Sequence, residues 1–197
     1  MIENLRLADP GFFEAALICF STYSFERVTI HQISDFTVVR PAVLQAEFGD
    51  KTRLLAAVLT WYIDNGFDSM LRQLRKTCCP VSAILCFFRA IGERPPLPGG
   101  GGARLLFSTA MRLAGHDSAF AQIVSDAMQK LEIFFYECVV ESQEANDRMT
   151  RAPAEHVVDL LIGYIAAFPA MPRAKHSGST VDQVIKSVEL LLRRPLA

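Results

Sequence analysis

The chain has 197 residues, 51% of them hydrophobic and 21% charged, and a formal net charge of −1. That length can bury a substantial core in one or two domains, while the near-zero charge excludes a global attraction to nucleic acid, so any such binding needs a local patch. A mean hydropathy of +0.24 without a membrane-length run points to apolar surface covered by a second chain.

Every segment reads as helix. Asp9 is a suitable N-cap and Pro10 a suitable first residue for a helix to Thr22, with Phe13, Ala16, Leu17 and Phe20 on its apolar face. Thr29 caps a short helix from Ile30 to Phe36, a turn follows at Thr37 to Val39, and a second short helix runs from about Arg40 to Glu47. Gly49 and Asp50 end it and cap a long helix from Lys51 to about Lys76. Pro80 opens a fifth helix ending near Glu93, and "RPPLPGGGG" (Arg94 to Gly102) reads as a flexible loop. Further helices are expected from Ala103 to Ala114, from about Ser118 to Asp147, from Pro153 to near Pro169, and from about Thr180 to Arg194. The expected fold is therefore all-α, with about nine helices: a small N-terminal helix-turn-helix domain (1–49) and a larger C-terminal bundle (50–197).

The first residues lack the basic start and apolar stretch of a signal peptide. The longest C-terminal apolar run, "VVDLLIGYIAAFPAM", contains Asp159 and Pro169 and falls short of the roughly 20 apolar residues of a spanning helix. Five cysteines, an odd number, do not make a secreted disulfide framework. A reducing cytoplasm is the expected location, with no membrane partner.

"FFEAALICFSTYSFERVTIHQIS" followed by "FGDKTRLLAAVL" resembles the N-terminal domain of TetR-family transcription regulators. The likeness covers about Phe12 to Leu59, and Ile33 to Phe48 follows the family's "IA-x-x-AGVS-x-x-x-LY-x-HF" pattern without a gap. The resemblance implies a dimeric, DNA-binding regulator, a repressor released by a small apolar or aromatic ligand. It gives Thr29 and Lys51 phosphate-facing roles, and leaves Arg40 and Gln45, with Pro41 beside them, at the base edges.

The departures fall on the reading surface. Val38 replaces the turn glycine, and a β-branched residue in a left-handed conformation is penalised by about 1–2 kcal/mol, so the turn is either strained or built differently. Gln45 and Glu47 replace the family's Tyr and His, and His31 replaces a common Arg. Through Leu55 there are five bases (Arg6, Arg27, Arg40, Lys51, Arg53) and seven acids (Glu3, Asp9, Glu14, Glu26, Asp35, Glu47, Asp50), a net of −2. Phosphate contacts supply most non-specific affinity, so this footprint is thin. The alternative reading is a member that no longer binds DNA and acts as an antirepressor or heterodimer partner of another transcription regulator. A third is a ligand carrier without a regulatory role.

The resemblance also implies an effector pocket within the C-terminal bundle, for which Trp61, Phe107, Met111, Phe88 and Phe135 are the candidates. It implies a homodimer through the last two helices, with Leu161, Tyr164, Ile165, Phe168, Val184, Val188 and Leu191 at the interface. No catalytic constellation, cofactor motif or metal site is expected. "PGGGG" lacks the Gly-Lys-Ser/Thr ending of a phosphate loop. Cys78, Cys79 and Cys86 lack a fourth metal ligand at local spacing, and Glu155, His156 and Asp159 read as a solvated helix start.

Overall fold

The computed structural model describes residues 9–23, 25–92, 100–145, 150–167 and 178–193. Among these are nine helices and no strand. None is long and apolar enough to cross a membrane.

Helix α1 (Pro10–Thr22) starts as its sequence dictates, the Asp9 carboxylate accepting the Gly11 N–H at 3.0 Å ahead of Pro10. Its buried face is Phe12, Ala16, Cys19 and Phe20; Phe13 and Leu17, expected there, are only half-buried. Phe13 stacks on Trp61. Helix α2 (Ile30–Thr37) carries a reciprocal capping box, in which Thr29 Oγ1 accepts the Gln32 N–H and Gln32 Oε1 accepts the Thr29 N–H. Helix α3 (Pro41–Phe48) buries Leu44 and ends at Gly49.

Helix α4 spans 51–77. Asp50 caps it, accepting the N–H groups of Thr52 and Arg53 at 2.8 and 2.9 Å. Midway, Ile63–Phe67 widens to π geometry before the α-helix resumes at Asp68. Helix α5 is Pro80–Gly92. Helix α6, 100–114, has a second π stretch at Leu106–Ala110. Then follow α7 (Ser118–Ala145), α8 (Ala154–Ala167) and α9 (Gly178–Leu192).

The expected loop through Gly102 is shorter than the sequence suggested, because the helix already begins at Gly100. The glycines here answer a distant ring. A Cβ on Gly102 would lie 2.5 Å from the Tyr62 ring, and one on Gly66 would lie 2.6 Å from it. Tyr62 is thus clasped between the backbones of α4 and α6.

One buried core runs from Phe12 to Leu192. Helix α1 packs on α2, α4 and the start of α6, while α7 packs on α5 and α8, and α9 on α5 and α8. Ion pairs fasten the far half of α4 to α7: Arg75 to Glu141 at 2.7 Å, and Lys130 to Asp68 at 2.9 Å.

In the last two helices the residues expected at an interface divide by burial. Leu161, Ile165, Val184 and Val188 are buried within the protomer, against its own neighbouring helices. Their apolar stripes are used intramolecularly. Tyr164 and Leu191 are half-buried, Leu160 and Leu190 are exposed, and Phe168 lies outside the described residues.

Candidate functional site

The turn between α2 and α3 is decided by one residue. Val38 has φ 54° and ψ 33°, the left-handed conformation, and its side chain is 71% exposed. Of the two options open to the sequence, the turn is therefore strained rather than rebuilt. It keeps a glycine's geometry without a glycine, at a cost of about 1–2 kcal/mol. Beyond it, Val39 is buried and Arg40 becomes the N-cap of α3, its carbonyl accepting from Val43 and Leu44 at 3.0 and 3.2 Å.

The outer surface of α3 follows from its spacing. Leu44 faces the core, so Ala42, Gln45, Ala46 and Glu47 are exposed, with Pro41 and Val43 half-buried. Arg40, Thr29 and His31 are also exposed. The structure thus brings Arg40 and Gln45 to one accessible helix, separated by small apolar side chains.

Lys51 does not join them in the expected way. Its ammonium donates to the carbonyls of Phe25 at 2.7 Å and Val28 at 3.0 Å, and lies 4.7 Å from the centroid of the Phe25 ring. Two of its three N–H groups therefore bind the protein's own α1–α2 connection. The more accessible cation on this turn of α4 is Arg53, 79% exposed, with its guanidinium beside Gly49 at the end of α3. Arg53 was missed because the family pattern singles out Lys51. The helical offset of two residues, which points the pair in different directions, was the signal available.

The second candidate region lies in the C-terminal bundle, where the two π stretches meet. Phe67 of α4 and Phe107 of α6 have ring centroids 6.0 Å apart. The contact continues from Phe107 to Phe87 (6.1 Å), from Phe87 to Phe88 and Phe135 (5.9 and 5.5 Å), and from Phe88 to Tyr164 of α8 (6.5 Å). Phe88 and Phe135 stack with an interplanar angle of 2°. Burial of each such ring contributes roughly 1.5–3 kcal/mol. Two polar links join α6 to the N-terminal region: Arg112 pairs with Glu26 of the α1–α2 connection at 2.7 Å, and Arg104 donates to the Ser21 carbonyl of α1 at 3.0 Å.

No family model matches the sequence, and no curated protein does. Solved structures do match. A TetR-family transcriptional regulator from Cytophaga hutchinsonii superposes with a TM-score of 0.72 at 14% identity, over 98% of this chain and 96% of that one. A Saccharomonospora viridis protein assigned as a transcriptional regulator, in complex with choline, gives 0.69 at 14%, over 90% and 91%. AibR, in complex with isovaleryl coenzyme A and operator DNA, gives 0.58 at 16%, over 94% and 97%. The chain has the fold of TetR-family regulators. At these identities the likeness carries the fold alone.

Within the TetR fold the effector candidates divide. Phe88, Phe107 and Phe135 are fully buried members of one aromatic cluster, and Met111 is half-buried just after the π stretch of α6. Trp61 lies elsewhere, stacked on Phe13 of α1 with centroids 5.5 Å apart and planes 10° apart. It packs α4 on α1, and no ring contact links it to Phe88, Phe107 or Phe135 among the described residues. Phe67 and Phe87, which touch Phe107, belong with the cluster. Glu155, His156 and Asp159 are all exposed on α8.

Proposed function

We propose that this chain is a ligand-responsive transcriptional regulator that reads DNA through α3. The observation that carries this reading is the left-handed Val38, which preserves the α2–turn–α3 geometry where the sequence alone would have allowed its loss. Arg40 and Gln45 are the base-edge readers, with Thr29 and Arg53 on phosphates. The operator-bound state of AibR, a protein of the same fold, supports this use of the domain.

The effector is a small apolar or aromatic molecule that enters the Phe88, Phe107 and Phe135 cluster. Inserting between the π stretches of α4 and α6, it displaces α6, and the Arg112–Glu26 and Arg104–Ser21 links carry that shift to α1 and α2. This requires unequal ligand affinity for the DNA-competent and released conformations. The chain acts as a cytoplasmic homodimer and a repressor, pairing through the outer faces of α8 and α9 around Leu160, Tyr164 and Leu191.

One set of observations favours a second reading, a non-DNA-binding partner of another regulator. Lys51 is engaged internally, Glu47 is exposed on α3, and the domain is acidic. Selection of duplexes from a random library at about physiological salt tests the two, since non-specific binding is already weak there. The first reading predicts an enriched palindrome. The second predicts none from folded dimer, together with capture of a second regulator.

A further inference from the structure

Three of the five cysteines gather at the corner between α4 and α5. Cys78 is the C-cap of α4, with extended backbone at φ −123° and ψ 149°. Cys79 immediately precedes Pro80, and Cys86 lies two turns along α5. The Cys78 thiol donates to Cys86 Sγ across 3.9 Å, and both side chains are half-buried. Cys79 is exposed and directs its thiol to Ser82 Oγ at 3.1 Å. Two sulfurs therefore face each other, and the third is engaged elsewhere.

A disulfide needs its sulfurs about 2.05 Å apart, so the pair must close by about 1.9 Å. Cys78 lies beyond the last helical residue of α4, where backbone and side chain can make that movement without unwinding the helix. The alternative, a soft metal ion, lacks ligands: no group of three or more His, Cys, Asp or Glu suited to a metal occurs among the described residues.

We propose that Cys78 and Cys86 form a reversible disulfide when the protein meets a hydroperoxide. The Cys78 thiolate attacks the peroxide, forming an S–O bond as the O–O bond breaks and an alcohol (water, from hydrogen peroxide) leaves. Cys86 sulfur then attacks the sulfenic sulfur, forming S–S and breaking S–O, and its proton departs with the hydroxide as water. Burial and the adjacent Cys78 thiol push the Cys86 thiol up, which disfavours Cys86 as the group that attacks the peroxide first. The bond would tie the end of α4 to α5, whether or not α3 reads DNA.

Trypsin places all three thiols on one peptide, Thr77 to Arg89. The reduced full chain is treated with hydrogen peroxide, alkylated under denaturing conditions, reduced, and alkylated with a second reagent. The second label is expected on Cys78 and Cys86, with the first on Cys79 and on the buried Cys19 and Cys138. A second label on Cys79, or the first label at every cysteine, overturns the pairing. In Cys86→Ser, the sulfenic acid should persist at Cys78 and be trapped by dimedone. If the adduct forms at Cys79 instead, the assignment of Cys78 as the attacking thiol is wrong.

Discussion

Lys51 binds Phe25 twice: its ammonium donates to the Phe25 carbonyl at 2.7 Å and lies 4.7 Å from the centre of the Phe25 ring. With the further bond to the Val28 carbonyl, one cation closes the α1–α2 connection onto the first turn of α4. A hydrogen bond to a charged group contributes about 1.5–3 kcal/mol. Lys51→Met should therefore lower stability by about 2 kcal/mol, measured by urea denaturation. Unchanged stability with a large loss of DNA affinity would instead return Lys51 to the phosphate-contacting role that its sequence position implies.

Val38 makes the opposite prediction. Its exposed side chain gives up little burial, so replacement acts mainly through the backbone. Val38→Gly relieves about 1–2 kcal/mol of left-handed strain and loses part of that to the greater freedom of glycine in the unfolded chain. The net expectation is a gain of about 0.5–1 kcal/mol in denaturant unfolding. A loss of stability would contradict a left-handed turn.

Two glycines should respond to the same substitution with opposite signs. Gly163, on the exposed side of α8, has nothing within 4 Å of a would-be Cβ. Gly163→Ala should stabilise by about 0.5–1 kcal/mol, the ordinary gain of alanine over glycine within a helix. Gly102→Ala drives a methyl into the Tyr62 ring and should destabilise by about 1–3 kcal/mol. Thermal unfolding of the two variants side by side checks the clasp, and equal responses would refute it.

What the sequence made legible was local. Asp9, Thr29, Asp50 and Pro10 act on the turn in which they stand, and each does in the structure what its residue type suggests. Gly102 was misread because its reason is the Tyr62 ring, forty residues earlier in the chain. An apolar stripe shows that a face is covered, not which element covers it, and Leu161 and Val188 are covered within the protomer. Trp61 stands among the effector candidates as an aromatic residue of the implied pocket region, and only the fold shows it stacked on Phe13. The π stretches have no composition signal, yet they bring Phe67 against Phe107.

Asp50 gives the structure a pH dependence of known sign. The N–H groups of Arg53 and Thr52 hold its carboxyl below the ordinary value of 3.8. A lowered folded-state pKa stabilises above the ordinary value, and that contribution disappears as pH falls through the lower one. Asp50→Ala should thus cost about 1 kcal/mol at neutral pH, the usual worth of an N-cap. The difference from wild type should shrink as pH drops below 3.8. A difference constant with pH would mean that the ionised carboxylate is not the cap.

The central claim is that an intact turn presents Arg40 and Gln45 to DNA. Its most direct test is duplex selection run in parallel on the wild type, Arg40→Ala and Gln45→Ala, each first shown to be folded. The account predicts a palindrome from the wild type and relaxed base preference at one position of each half-site in each variant. No enriched site from the wild type, or the same site from all three proteins, would contradict it.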